Sequence, residues 1–133
     1  MRIVDLQTLR TMPEGVLFQK YDPCYFGSMS IFGGAYDSDF LSCEFGSGPI
    51  ECNSSEQFVD RCDDMAERSA SYPVDLDKYG RDGCFEPDQL FAIWESADVR
   101  ALIAKLEAAL AQGIDAHSGA TEGRDPKDEN PVA

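Results

Sequence analysis

The sequence predicts an α+β fold: a small, mainly antiparallel sheet with two helices packed on one face, and then a flexible acidic C-terminal tail. Three observations carry this expectation. Short apolar or alternating runs, bounded by Gly, Pro and Asp, crowd the first 45 or so positions, as strands do. Two later segments, near 55–70 and 97–111, place their apolar residues at helical spacing. Strands first, then helix, strand and helix, is the order of an α+β domain. With 133 residues, 43% of them hydrophobic, the chain suffices for one core, and a single domain is expected over residues 1–112.

The elements follow in order. A short helical turn is expected at Leu6–Arg10, ended by Met12-Pro13-Glu14-Gly15. Val16–Tyr21 reads as a strand and Asp22–Gly27 as a loop. Met29–Tyr36 and Phe40–Phe45 read as a hairpin joined through Asp37-Ser38-Asp39, with Gly33-Gly34 marking a bulge or an early turn. Gly46-Ser47-Gly48-Pro49 closes that sheet segment. Ser54-Ser55-Glu56-Gln57 fits a capping box, in which the Ser54 hydroxyl and the Gln57 side chain satisfy free amides. The helix it opens runs to about Ala70. Gln89–Trp94 is short, apolar and aromatic, and reads as a buried strand, with a helix opened by Pro87 as the alternative. Ser96 is expected to cap a last helix, Ala97–Ala111, lined on one face by Val99, Leu102, Ile103, Leu106 and Leu110. Gly113 is its expected stop, and the 21 residues from there on, poor in apolar side chains, read as the tail.

Charge is the strongest compositional signal. There are 25 Asp and Glu against 11 Lys and Arg, a formal net charge of −14. Such a chain repels nucleic acid and anionic membranes and favours basic partners. The excess is uneven: Tyr21–Glu67 holds ten carboxylates and one base, whereas residues 1–20 are net +1. On the 55–70 helix, about 100° per residue gathers Glu56, Asp60, Asp63, Asp64 and Glu67 on the face opposite Phe58, Val59, Cys62, Met65, Ala66 and Ser69. Arg61 and Arg68 flank this stripe. It reads either as an ordinary solvated helix face or as a partner-binding surface.

Enzymatic chemistry finds little support, and no catalytic residue is assigned. The single His, His117, lies in the expected tail, away from any nucleophile. Nucleophile-elbow, phosphate-loop and dinucleotide motifs are missing. Five cysteines, an odd number without a CxxC pair, argue against a disulfide scaffold or a zinc site and for reduced, mostly buried thiols. No membrane-length apolar run occurs, and Asp5 and Gln7 break the N-terminal apolar stretch, so a cytoplasmic setting is expected.

The stretch DLDKYGRDGCFE, residues 75–86, imitates a calcium loop, with Asp75, Asp77, Gly80 and Glu86 at positions one, three, six and twelve. Tyr79 stands where a short oxygen ligand belongs, Asp82 where an aliphatic residue belongs, and Pro73 and Pro87 crowd both flanks. A structural loop is expected, with neither metal nor cofactor. In KYDPCYFG, Tyr21 and Phe26 are expected in the core and Tyr25 as an exposed interface anchor.

KYDPCYFG, the hairpin ending in DFLSCEF, and GRDGCFEPDQLFAIWESADVRALIAKL together resemble small acidic proteins of unknown function encoded by phages and prophages. The resemblance spans about Met12 to Gln112. It implies a phage accessory protein in the host cytoplasm that blunts host defences, as anti-CRISPR proteins do, some by presenting carboxylates in place of DNA phosphates. The expected function is therefore a non-enzymatic acidic inhibitor, a DNA mimic. Its partner would be a basic nucleic-acid-binding surface on a host defence protein, without direct nucleic-acid or membrane binding; a homodimer is left open. Expected partner-binding residues are Tyr25, Asp37, Asp39, Glu44, Glu56, Asp60, Asp63, Asp64 and Glu67. The alternative is a protein that sequesters a small nucleotide signal in a pocket.

Overall fold

The computed structural model describes residues 1–45 and 48–120, with side chains to Gly113. It has the α+β fold, with one antiparallel sheet and helices. The chain divides into two compact units, Met1–Gly48 with Leu76–Ala104, and Pro49–Asp75 with the chain from Lys105 on. Among the described residues no helix is long and apolar enough to cross a membrane.

The first unit holds the sheet. Its strands are β1 (Arg2–Asp5), β2 (Leu17–Asp22), β3 (Tyr25–Phe26), β4 (Ser30–Tyr36), β5 (Asp39–Glu44), β6 (Gly80–Arg81) and β7 (Leu90–Ile93). The order across the sheet is β1-β7-β2-β4-β5-β6, with β3 paired to the far end of β2. Helix α1 (Leu6–Arg10) follows β1 directly, and the Asp5 carboxylate accepts the Thr8 N–H at 2.8 Å as its N-cap. The Arg10 guanidinium then donates to the carbonyls of Asp37 and Asp39, tying α1 to the β4–β5 turn.

The core lies where alternate residues of β2, β4, β5 and β7 meet α1. Leu9, Phe18, Phe32, Phe40, Phe91 and Ile93 are buried there, with Cys84 beside them. Phe18, Phe40 and Phe91 stand edge to face in pairs, with centroids 5.7–5.8 Å apart, the arrangement the ring quadrupole favours. Between Phe32 and Ala35 the β4–β5 register shifts, so the expected bulge at Gly33-Gly34 is present. At Gly34, φ is +104°, and at Gly33 a side chain would collide with the Tyr79 ring 2.8 Å from the Cβ position.

In the second unit, α2 (Ser55–Arg68) is held at its two ends. Ile50 and Val74 form an antiparallel bridge, and the Glu51 and Asp75 N–H groups donate to Pro73 and Pro49 at 2.8 and 2.7 Å. Ser54 caps α2 as expected, its hydroxyl accepting the Gln57 N–H at 3.0 Å, but Gln57 reaches back one residue further than a capping box does, to the Asn53 N–H. Ser69 ends the helix in the left-handed conformation, φ 56°.

Five expectations are corrected. The N-terminal residues form β1, which the sequence hides because four residues, all exposed but the half-buried Val4, show no period without their partner β7. The expected loop 22–27 contains β3, reached through a tight turn in which Cys24 adopts a φ of 65°. Phe26, expected in the core, is 45% exposed, because β3 lies off the main path of the sheet; its ring meets Tyr21 edge on at 5.3 Å. Only Cys43 and Cys84 of the five cysteines are buried; Cys52 and Cys62 are half-buried and Cys24 is exposed. Finally, α3 begins at Ser96 and runs through Gly113 to Ala120. Glu95 takes the capping position, its N–H donating to Asp98 at 2.9 Å. One Gly costs a helix only about 1 kcal/mol relative to Ala, too little to stop one rich in Ala and Leu. The rest of the expected tail, 121–133, and positions 46–47 of the expected turn lie outside the described residues.

Candidate functional site

Sorting the expected partner-binding residues by exposure separates them into three groups. Glu56, Asp60, Asp63 and Glu67 are exposed along α2. They follow one another at intervals of four, three and four residues, and so share a face. Asp64 does not belong with them: half-buried, it accepts the Tyr72 hydroxyl at 2.5 Å and pairs with Arg68. Arg61 likewise turns inward within this unit. Its guanidinium donates to the Glu51 carbonyl at 2.7 Å and lies 4.6 Å over the Tyr72 ring. Both arginines that flank the stripe in sequence are therefore committed elsewhere, and four exposed carboxylates remain without a neutralising base among the described residues. That segregation exceeds what sequence spacing alone implied.

The sheet residues in the first unit do not form one patch. Asp37, in the left-handed region with φ 51°, lies at the β4–β5 turn, whereas Glu44 ends β5 at its other end. Both are exposed, as is Tyr25, 66% accessible on β3. Asp39 is a correction. It is only 1% exposed, and its carboxylate accepts the Gly83 N–H at 2.8 Å and the Cys84 N–H at 3.3 Å, with Arg81 at 3.7 Å. Burial pushes this carboxyl up, but the N–H groups of Gly83, Phe40 and Cys84 and the charge of Arg81 outweigh it and hold it below the ordinary range. A group so enclosed cannot meet a partner.

Asp39 belongs instead to a polar cluster that anchors the 80–86 segment. Lys20 pairs with Asp82 at 2.9 Å. The Asp82 N–H donates to the Phe40 carbonyl at 2.9 Å, and β6 adds to the edge of β5 at Leu41 and Ser42. Cys84 lies in the same cluster, but burial pushes its thiol up, away from the thiolate a nucleophile needs. Burial also works against the Lys20 cation, yet Asp82 outweighs it and raises the ammonium above its usual range, away from the neutral amine. The arrangement fixes a loop; neither group is poised as a nucleophile. The resemblance of 75–86 to a calcium loop stops at the same place, since Gly80 and Arg81 are paired as strand. Among the described residues no three His, Cys, Asp or Glu side chains gather as a metal site.

One feature of the first unit escaped the sequence reading. A hollow of about 520 Å³ opens beside Trp94, lined by Arg2, Met12, Pro13, Val16 and Ile93 among others. The Trp94 ring is held by its N–H donating to Gln19 Oε1 at 2.9 Å, and Arg2 is paired with Glu95 at 2.9 Å. The lining residues lie up to 95 positions apart, and no local spacing unites them; only the pairing of β1 and β2 with β7 does. Comparison of the chain with family models, curated proteins and solved structures returns no match.

Proposed function

We propose that this chain is a non-enzymatic acidic inhibitor, anti-CRISPR-like in strategy, whose α2 carboxylates occupy a basic nucleic-acid-binding surface of a host defence protein. The observation that carries the reading is the exposed quartet Glu56, Asp60, Asp63 and Glu67, left unneutralised among the described residues because Arg61 and Arg68 turn to Glu51, Tyr72 and Asp64. At a rise of 1.5 Å per residue the four span roughly 16 Å, about one charge per 5 Å. A single DNA strand carries one per about 3.4 Å, so the helix approaches the charge density of one strand. Complementary fields of this kind speed encounter and set specificity. Exposed rings such as Tyr25 are suited to supply affinity.

The test is capture from a host lysate with the wild type and with Asp60→Lys, Asp63→Lys and Glu67→Lys combined. Asp64 is left in place because its contacts with Tyr72 and Arg68 are structural. The expected result is retention of a nucleic-acid-binding protein by the wild type, released by DNA and by salt, and its loss from the variant at unchanged circular dichroism. Equal retention by both would overturn the proposal.

The hollow beside Trp94 favours a second reading, sequestration of a small molecule, since its volume is in the range of small-molecule sites. Its cation, Arg2, is already paired with Glu95, which weakens the case for a nucleotide. A thermal shift with a nucleotide panel, repeated with Trp94→Ala, separates the two: stabilisation of the wild type alone would favour the pocket.

A further inference from the structure

Helix α3 has an apolar face with little to cover it. Ile103, Leu106 and Leu110 are 49, 59 and 62% exposed, and Val99 is half-buried at the start of the same row. Scattered exposed apolar residues are ordinary, but a row of them on one helix is not. The intervals are four, three and four residues, the alternation of a two-stranded coiled-coil seam in which Val99 and Leu106 take one core position and Ile103 and Leu110 the other. Residues just beside such a seam pair across it and choose orientation and register. Here Arg100 and Glu107 occupy equivalent flanking places, one heptad apart.

We propose that this face binds a second copy of the chain, α3 against α3 in antiparallel orientation about a two-fold axis. The layers are then Val99 on Leu110 and Ile103 on Leu106 of the other copy, each made twice by symmetry. Charge selects this register. Arg100 of one copy falls beside Glu107 of the other, between those same two layers, and the pair occurs twice. Sliding the helices by one heptad sets Glu107 against its own symmetry mate. A parallel, in-register pairing sets Glu107 beside Leu102 and Arg100 beside Glu95, which already pairs with Arg2 at 2.9 Å. The inference is independent of the α2 reading and uses none of its residues.

The test is molar mass by sedimentation or light scattering across the micromolar to millimolar range. Its variants are Arg100→Glu, Glu107→Arg, the two combined, and Leu106→Glu. The expected wild-type result is a doubling of mass. Each single charge change should lose the dimer, because it creates two like-charge contacts, and the combined swap should restore it. Leu106→Glu should remain monomeric, and circular dichroism of all variants should match the wild type. A wild type that stays monomeric throughout overturns the proposal and leaves the face to another protein. A dimer that survives both Arg100→Glu and Leu106→Glu overturns it too, placing the interface elsewhere. Failure of the combined swap to restore a dimer that the single changes abolish refutes the antiparallel register.

Discussion

Replacing Asp39 by Asn tests how far one buried carboxylate holds the 80–86 segment on the sheet. The side chain keeps its size and one acceptor oxygen, but loses its charge and presents an NH2 group to backbone N–H groups. Hydrogen bonds to a charged acceptor contribute about 1.5–3 kcal/mol each. The bond to Gly83, at 2.8 Å, is the stronger, and that to Cys84, at 3.3 Å, the weaker. Losing one charged bond, about 2 kcal/mol, and weakening the other by about half gives a destabilisation of about 3 kcal/mol. Arg81, at 3.7 Å and mostly exposed, adds little to this. Denaturation in urea should show a lower midpoint at unchanged slope, and Tm should fall by about 12 °C, at about 4 °C per kcal/mol for a chain of this size. The amides of Gly83 and Cys84 should exchange faster, while Asp37→Asn, at an exposed turn, should change stability by less than about 0.5 kcal/mol. The pH dependence has a definite sign. Because the folded-state carboxyl is held below its ordinary value, its stabilisation is complete above the unfolded-state value. It fades as pH falls through the folded one. The gap between wild type and variant should therefore narrow in acid. A loss below about 1 kcal/mol, or a gap of constant size at all pH values, would refute this reasoning.

Three other substitutions probe other parts of the fold. Phe40→Ala removes the ring that contacts Phe18, Phe32 and Phe91 and should cost about 3–5 kcal/mol in chemical denaturation. Ser54→Ala removes the cap of α2 and should cost about 1 kcal/mol, with some loss of helicity by circular dichroism. Gly33→Ala sets a methyl group 2.8 Å from the Tyr79 ring and 3.1 Å from Leu41 Cβ, and should cost about 1–3 kcal/mol as an overpacked site. In a Tyr79→Ala background part of that cost should vanish, which a double-mutant cycle measures.

Elements with their own period or punctuation were legible in the sequence. Leu6–Arg10, the β4–β5 hairpin with its bulge, and both long helices arise from local patterns that any partner leaves intact. Pairing-dependent elements were not. β3 and β6 are two residues each and exist only because β2 and β5 offer them an edge, and β1 becomes a strand against β7. At the candidate site, spacing placed the α2 carboxylates on one face, but could not show that Asp64 and Arg61 turn inward or that Arg68 pairs with Asp64. Asp39 was misjudged for a related reason. Its neighbours Gly83 and Cys84 lie 44 and 45 positions away, so an acid in a hairpin turn looks exposed until the segment that covers it is known.

The order of the sheet also bears on how the chain is made. β7 lies between β1 and β2, so the strand that joins the first two arrives only when residue 93 has left the ribosome. Until then β1 and β2 have no neighbour on those edges, and Phe18 lacks Phe91. The nascent chain carries open strand edges for most of its synthesis, a state that favours pairing with other chains. The dense negative charge of residues 21–67, which emerge during that interval, keeps such chains apart. Acidity thus has a use before folding is complete, as protection for a sheet that must wait for the strand between its first two.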